Sequence, residues 1–118
     1  MPVILINPFE IDPREADEFM RSWQEAADYM RRQPGFIGTR LHRALAPSAR
    51  FQFVNVAEWE SPQHFMNAVQ SSEFKRLAEG SPPNFPALYR VVSSEGDDAV
   101  SGDPRSDVTQ ISPQEDLQ

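Results

Sequence analysis

A chain of 118 residues is enough for one domain, and without cysteine it has no disulfide, no thiolate nucleophile and no cysteine-ligated metal. Its net charge of −7 is uneven: residues 94–118 hold seven of the eighteen acids against Arg105 alone, while residues 1–93 carry eleven acids and ten bases. A nearly neutral domain whose one lysine is Lys75 lacks the clustered cations that a phosphate backbone requires, so no nucleic-acid partner is expected.

The stretch Val3–Phe9 is β-rich and flanked by prolines, which predicts a first strand rather than a signal segment or membrane span, since its apolar run is only four residues long. Asp12-Pro13-Arg14-Glu15 then reads as a helix start, with an acid at the N-cap, proline at N1 and Glu15 at N3 able to reach back. Ala16, Phe19, Trp23, Ala26, Ala27 and Met30 recur at three and four and share one face, while Gln33-Pro34-Gly35 stops the helix. Two further β-rich runs, Phe36–Ala44 and Arg50–Glu60, are joined by a short loop of hairpin length. Ser61-Pro62 repeats the N-cap and N1 proline signature and opens a second helix with Phe65, Ala68 and Val69 inward, continued by a short segment over Ser72–Glu79. After the breaker Gly80-Ser81-Pro82-Pro83-Asn84, Ala87–Val92 reads as the last strand.

The order β-α-β-β-α-β predicts an α+β, ferredoxin-like fold with a four-stranded antiparallel sheet over residues 1–93. Residues 94–118, where apolar side chains become isolated among Ser, Asp, Gly and Pro, are expected to be a disordered acidic tail. Both helices should cover one sheet face. Yet strand one carries Ile4 and Ile6 on one side and Val3, Leu5 and Phe9 on the other, and strand three is apolar on both sides too. A sheet with one wet face alternates more cleanly, so a second copy of the chain is expected on the uncovered face, making a homodimer. With no targeting or membrane segment in view, a soluble cytoplasmic protein without membrane partners is expected.

Two polar residues interrupt the apolar central strands. Asn7 lies between Ile6 and Pro8, and Asn55 between Val54 and Val56. Burying an unpartnered amide costs about 1–3 kcal/mol, so such residues need a reason. Alternation puts Asn7 with Leu5 and Phe9, and Asn55 with Phe53, Ala57 and Trp59, so both can face a helix–sheet cleft with Trp59. The plain alternative is local backbone capping by each asparagine. His42 and His64 are 22 residues apart with no ligand spacing, which argues against a metal site. His64, in the first turn of a helix whose dipole disfavours its cation, is a candidate neutral base or else a surface residue. No nucleotide-binding fingerprint occurs.

Pro2-Val3-Ile4-Leu5-Ile6-Asn7, Gln33-Pro34-Gly35-Phe36-Ile37-Gly38, Val56-Ala57-Glu58-Trp59-Glu60-Ser61 with Phe65 following, and Ser72-Glu73-Phe74 together resemble the antibiotic biosynthesis monooxygenase (ABM) family over about residues 1–93. The resemblance implies a homodimer whose paired sheets form a dimeric α+β barrel. It implies one of two chemistries. Cofactor-free members oxidise anthrones to quinones with an asparagine four residues before a tryptophan, a pair matched by Asn55 and Trp59. Haem-degrading members use a strand-one asparagine, the same tryptophan and a helical histidine; Asn7 and Trp59 match, but Phe74-Lys75-Arg76-Leu77-Ala78 offers no histidine.

The expected function is therefore a cofactor-independent monooxygenase acting on a small aromatic, anthrone- or hydroquinone-like substrate with dioxygen. Asn55 and Asn7 would act as hydrogen-bond donors, Trp59 as a stacking wall and His64 as the proton acceptor, with no cofactor or metal. The alternatives are a haem-binding or haem-degrading homologue and a non-enzymatic dimeric protein that binds a small ligand.

Overall fold

The computed structural model describes residues 2–96. In chain order they form β1 (Val3–Phe9), a 3-10 turn (Pro13–Glu15), α1 (Ala16–Arg31), β2 (Phe36–Arg43), β3 (Phe53–Trp59), α2 (Pro62–Val69), α3 (Ser72–Leu77) and β4 (Ala87–Tyr89). The strands make one antiparallel sheet in the order β2-β3-β1-β4, with β1 and β3 central as the ferredoxin-like order requires. The acidic tail expected over 94–118 lies, from residue 97 on, outside the described residues. Among the described residues no helix is long and apolar enough to cross a membrane.

Local chemistry fixes the element ends. The Asp12 carboxylate caps the entry to α1 by accepting from the Arg14 backbone N–H, but the chain first makes a 3-10 turn and α1 begins only at Ala16. The anticipated back-reach by Glu15 gives way to the Arg14 guanidinium, whose side-chain hydrogen bonds to Asp12 hold that exposed carboxyl at about 2, below its ordinary 3.8. Ser61 and Ser71 cap α2 and α3, each hydroxyl accepting from the N–H three residues on. Strand β3 starts at Phe53, not Arg50, because Gln52 is buried at 3 % exposure and donates to the carbonyls of Ala46, Pro47 and Ala49, closing the β2–β3 loop. The last strand is also shorter than expected: β4 ends at Tyr89, while Val91 and Val92 are exposed.

Core residues occupy the odd positions of β1 and β3, which face the helices. One cluster joins Leu5, Ala57, Trp59 and Ala68; a separate one joins Phe9, Ala16, Phe19 and Phe53. Tyr29, absent from the expected apolar face of α1, is also buried. Its hydroxyl lies 2.8 Å from the Ala68 carbonyl and 2.5 Å from Ser71 Oγ, tying α1 to the α2–α3 junction. The opposite sheet face carries Ile4, Ile6, Val54 and Val56, all half-exposed, and no described helix packs on it.

The turn from α1 into β2 depends on Gly35, which sits at φ +87°. A Cβ there would overlap the His64 ring, and the Gly35 carbonyl accepts from the Glu60 N–H at 2.8 Å. Gly35→Ala therefore combines left-handed strain with a steric clash, and a loss of about 1–3 kcal/mol is expected in chemical denaturation. An unchanged midpoint would show that the His64 ring yields freely.

Candidate functional site

The two core clusters do not meet. In the cross-strand register Leu5 faces Ala57 and Phe9 faces Phe53, and between these pairs Asn7 lies directly opposite Asn55. The asparagines thus occupy the row where an apolar pair would have joined the clusters. Above that row lies a cavity of about 350 Å³ between the sheet and the helices, within the range usual for small-ligand pockets. Its floor includes Asn7, Asn55 and Trp59, while Trp23 and Met30 of α1 and Phe65 of α2 form apolar walls.

Besides Asn7, Asn55 and Trp59, the polar side chains Ser22, Thr39, Ser81 and Asn84 line the cavity. Asn7 Oδ1 is buried without a hydrogen-bond partner, and so is Trp59 Nε1. The Trp59 ring is 1 % exposed and held edge-on between Phe36 and Phe65, at centroid distances of 5.3 and 5.7 Å. Asn55 Oδ1 accepts from Thr39 Oγ1 at 2.5 Å. Asn7 Oδ1 and Trp59 Nε1 are closed off from the cavity as well as from solvent, and leaving them unmet costs about 1–3 kcal/mol each.

Asn7, Asn55 and Trp59 are therefore brought together, as the alternation anticipated. His64 is not. It sits at the start of α2 with Nδ1 2.7 Å from Ser61 Oγ, its ring against Gly35, and it does not line the cavity. His42 lies on β2 facing away from the helices, with Nδ1 3.3 Å from the Val54 carbonyl. Thr39 is the site residue that inspection of the sequence overlooked. A β-bulge between Phe36 and Gly38 shifts the register of β2, so Thr39 and Leu41 join the inner face that simple alternation from Phe36 would deny them.

No residue lining the cavity is acidic, basic, a histidine or a tyrosine. The lining thus provides amide, indole and hydroxyl groups in a largely apolar enclosure, but no acid, base, histidine or tyrosine. Haem fits this lining poorly: it offers no histidine, cysteine or tyrosine as an axial ligand and no cation for the propionates. Among the described residues, no three His, Cys, Asp or Glu side chains are grouped to hold a metal ion.

The sequence profile described as "Antibiotic biosynthesis monooxygenase" matches residues 2–80. Among solved structures, a candidate monooxygenase from Shewanella loihica PV-4 is similar at 38% identity and a TM-score of 0.71, covering 79% of this chain and 96% of that one. The cofactor-independent oxygenase SnoaB from Streptomyces nogalater shares the fold at 24% identity and a TM-score of 0.69, over 79% of this chain and 95% of its own. A haem-degrading protein from Mycobacterium tuberculosis, in its haem-free form, shares it at 24% identity and a TM-score of 0.61, over 81% and 100%. No curated protein matches the chain in sequence.

Proposed function

We propose that this chain, which belongs to the antibiotic biosynthesis monooxygenase family, is a cofactor-independent monooxygenase that oxidises an uncharged, anthrone-like aromatic substrate with dioxygen. The observation that carries the proposal is the largely apolar cavity whose lining brings Asn7, Asn55 and Trp59 to one side of the sheet.

Dioxygen reacts slowly with closed-shell molecules because its ground state is a triplet, so the substrate must first become a better electron donor. An anthrone does so on losing a proton from its methylene carbon to give an enolate. Donors aimed at the enolate oxygen favour that ionisation, and they act strongly where water is excluded. The amide N–H groups of Asn55 and Asn7 supply them, while the walls formed by Trp23, Met30 and Phe65 hold the flat ring system. The enolate passes one electron to dioxygen and the resulting pair forms a C–O bond. Loss of water from the hydroperoxide gives the carbonyl: one oxygen atom enters the product and the other leaves as water. The apolar lining holds no charge to anchor a carboxylate, which favours a neutral substrate.

The proton has no side chain to go to within the cavity. It leaves to solvent at the mouth, so the substrate's own acidity sets the rate. His64, held on Ser61 outside the lining, takes no part. The uncovered sheet face, with Ile4, Ile6, Val54 and Val56 half-exposed, favours a homodimer.

Oxygen uptake with anthrone tests the activity. Asn55→Ala is expected to lower kcat by about 100-fold or more, the usual effect of removing one oxyanion donor. Full activity in that variant would remove Asn55 from the chemistry. The pH profile of kcat/KM should rise with the ionisation of the substrate and move when a more acidic anthrone is used; an inflection that stays fixed across substrates would reveal a side-chain base. Sedimentation equilibrium at micromolar concentration is expected to give twice the chain mass, and a monomer mass would contradict the dimer.

A further inference from the structure

An asparagine amide is nearly symmetric in shape but opposite in chemistry at its two ends: one accepts and the other donates. Which end faces the cavity decides whether Asn55 stabilises an oxyanion or repels it. The neighbouring strand makes the choice. Thr39 on β2 lies beside Asn55 on β3, and its hydroxyl hydrogen has two acceptors in range: Asn55 Oδ1 at 2.5 Å and the Val56 carbonyl at 3.5 Å. The short contact takes the proton, because hydrogen bonds weaken steeply toward the longer distance.

We propose that Thr39 is a positioning residue that fixes the polarity of the Asn55 amide, turning Oδ1 toward β2 and presenting the Nδ2 hydrogens to the cavity as donors. In the reversed orientation Nδ2 would donate to Thr39 Oγ1. The hydroxyl would then have only the distant Val56 carbonyl, and an acceptor would face the ligand. Asn55 therefore meets a ligand's carbonyl oxygen as a donor. This assignment rests on the oxygenase function proposed above, with Asn55 as the donor to the developing oxyanion.

Thr39→Val removes the hydroxyl and keeps the shape, and Thr39→Ser restores it. Two readouts separate the positioning role from the oxygenase function. The first is steady-state oxygen uptake with anthrone. Thr39→Val is expected to lower kcat roughly 10–100-fold while KM changes less than about threefold, because the interaction lost belongs to the transition state. Thr39→Ser should recover kcat to within about threefold of the parent. The second is the visible absorption band of 1-hydroxyanthraquinone, a dye that carries the required carbonyl and cannot turn over. Its band should shift on binding the parent chain and the Ser variant, and lose that shift in the Val variant. If the parent consumes no oxygen but the dye shift follows Thr39, the oxygenase function fails and the positioning role stands. A Val variant with parental kcat, or with the parental dye shift, overturns the role of Thr39, as does a dye that shows no shift with the parent.

Discussion

The asparagine pair at the middle of the two central strands governs the rest of the structure. An apolar pair at that row would let the Leu5–Trp59 and Phe9–Phe53 clusters fuse into one continuous core, as small domains normally build. Asn7 opposite Asn55 interrupts it, and the helices bridge above a space instead of filling it. A domain of this size has little hydrophobic stabilisation to spare, so a cavity of about 350 Å³ is a considerable concession. Capping, the Gln52-closed loop and the Tyr29 tie to Ala68 and Ser71 hold the frame around it.

The chemistry of the enclosure follows from what lines it. Amides and an indole are dipoles that stay neutral at any ordinary pH, and they need no reorganisation when charge develops beside them. A carboxylate or histidine in the same place would carry desolvation costs and its own titration. The cavity instead stabilises a charge that the ligand itself develops. A cofactor-independent oxygenase and a haem-degrading protein share this fold, so the fold by itself does not choose between their chemistries. Here the α3 stretch Phe74–Ala78 turns Phe74, Leu77 and Ala78 toward the cavity, apolar where a haem site would need a ligand.

Much of this was legible in the chain before its structure. Periodicity and the two Ser/Asp-Pro starts located both major helices, and β-rich runs located the four strands; two-sided apolar patterning exposed the uncovered sheet face. Alternation alone put Asn7, Asn55 and Trp59 on one face. What escaped notice depended on events without a local signature. The bulge after Phe36 reverses the facing of β2, so Thr39 faces the site and His42 faces away from it. The fate of His64 turned on the Gly35 turn packing against its ring, a contact between residues far apart in sequence. Tyr29 and Gln52, polar by type, were buried because each found specific carbonyls across a loop or a helix junction.

The central claim is that the Asn55 amide, aimed by Thr39, donates to the oxygen-bearing edge of a flat ligand in a largely apolar hollow. A crystal structure of the chain soaked with 1-hydroxyanthraquinone tests it most directly. The account predicts the ring system lying between α1 and the sheet, its carbonyl oxygen within hydrogen-bond reach of Asn55 Nδ2. A ligand seated elsewhere, or one in the hollow with its oxygens turned away from Asn55, would contradict it.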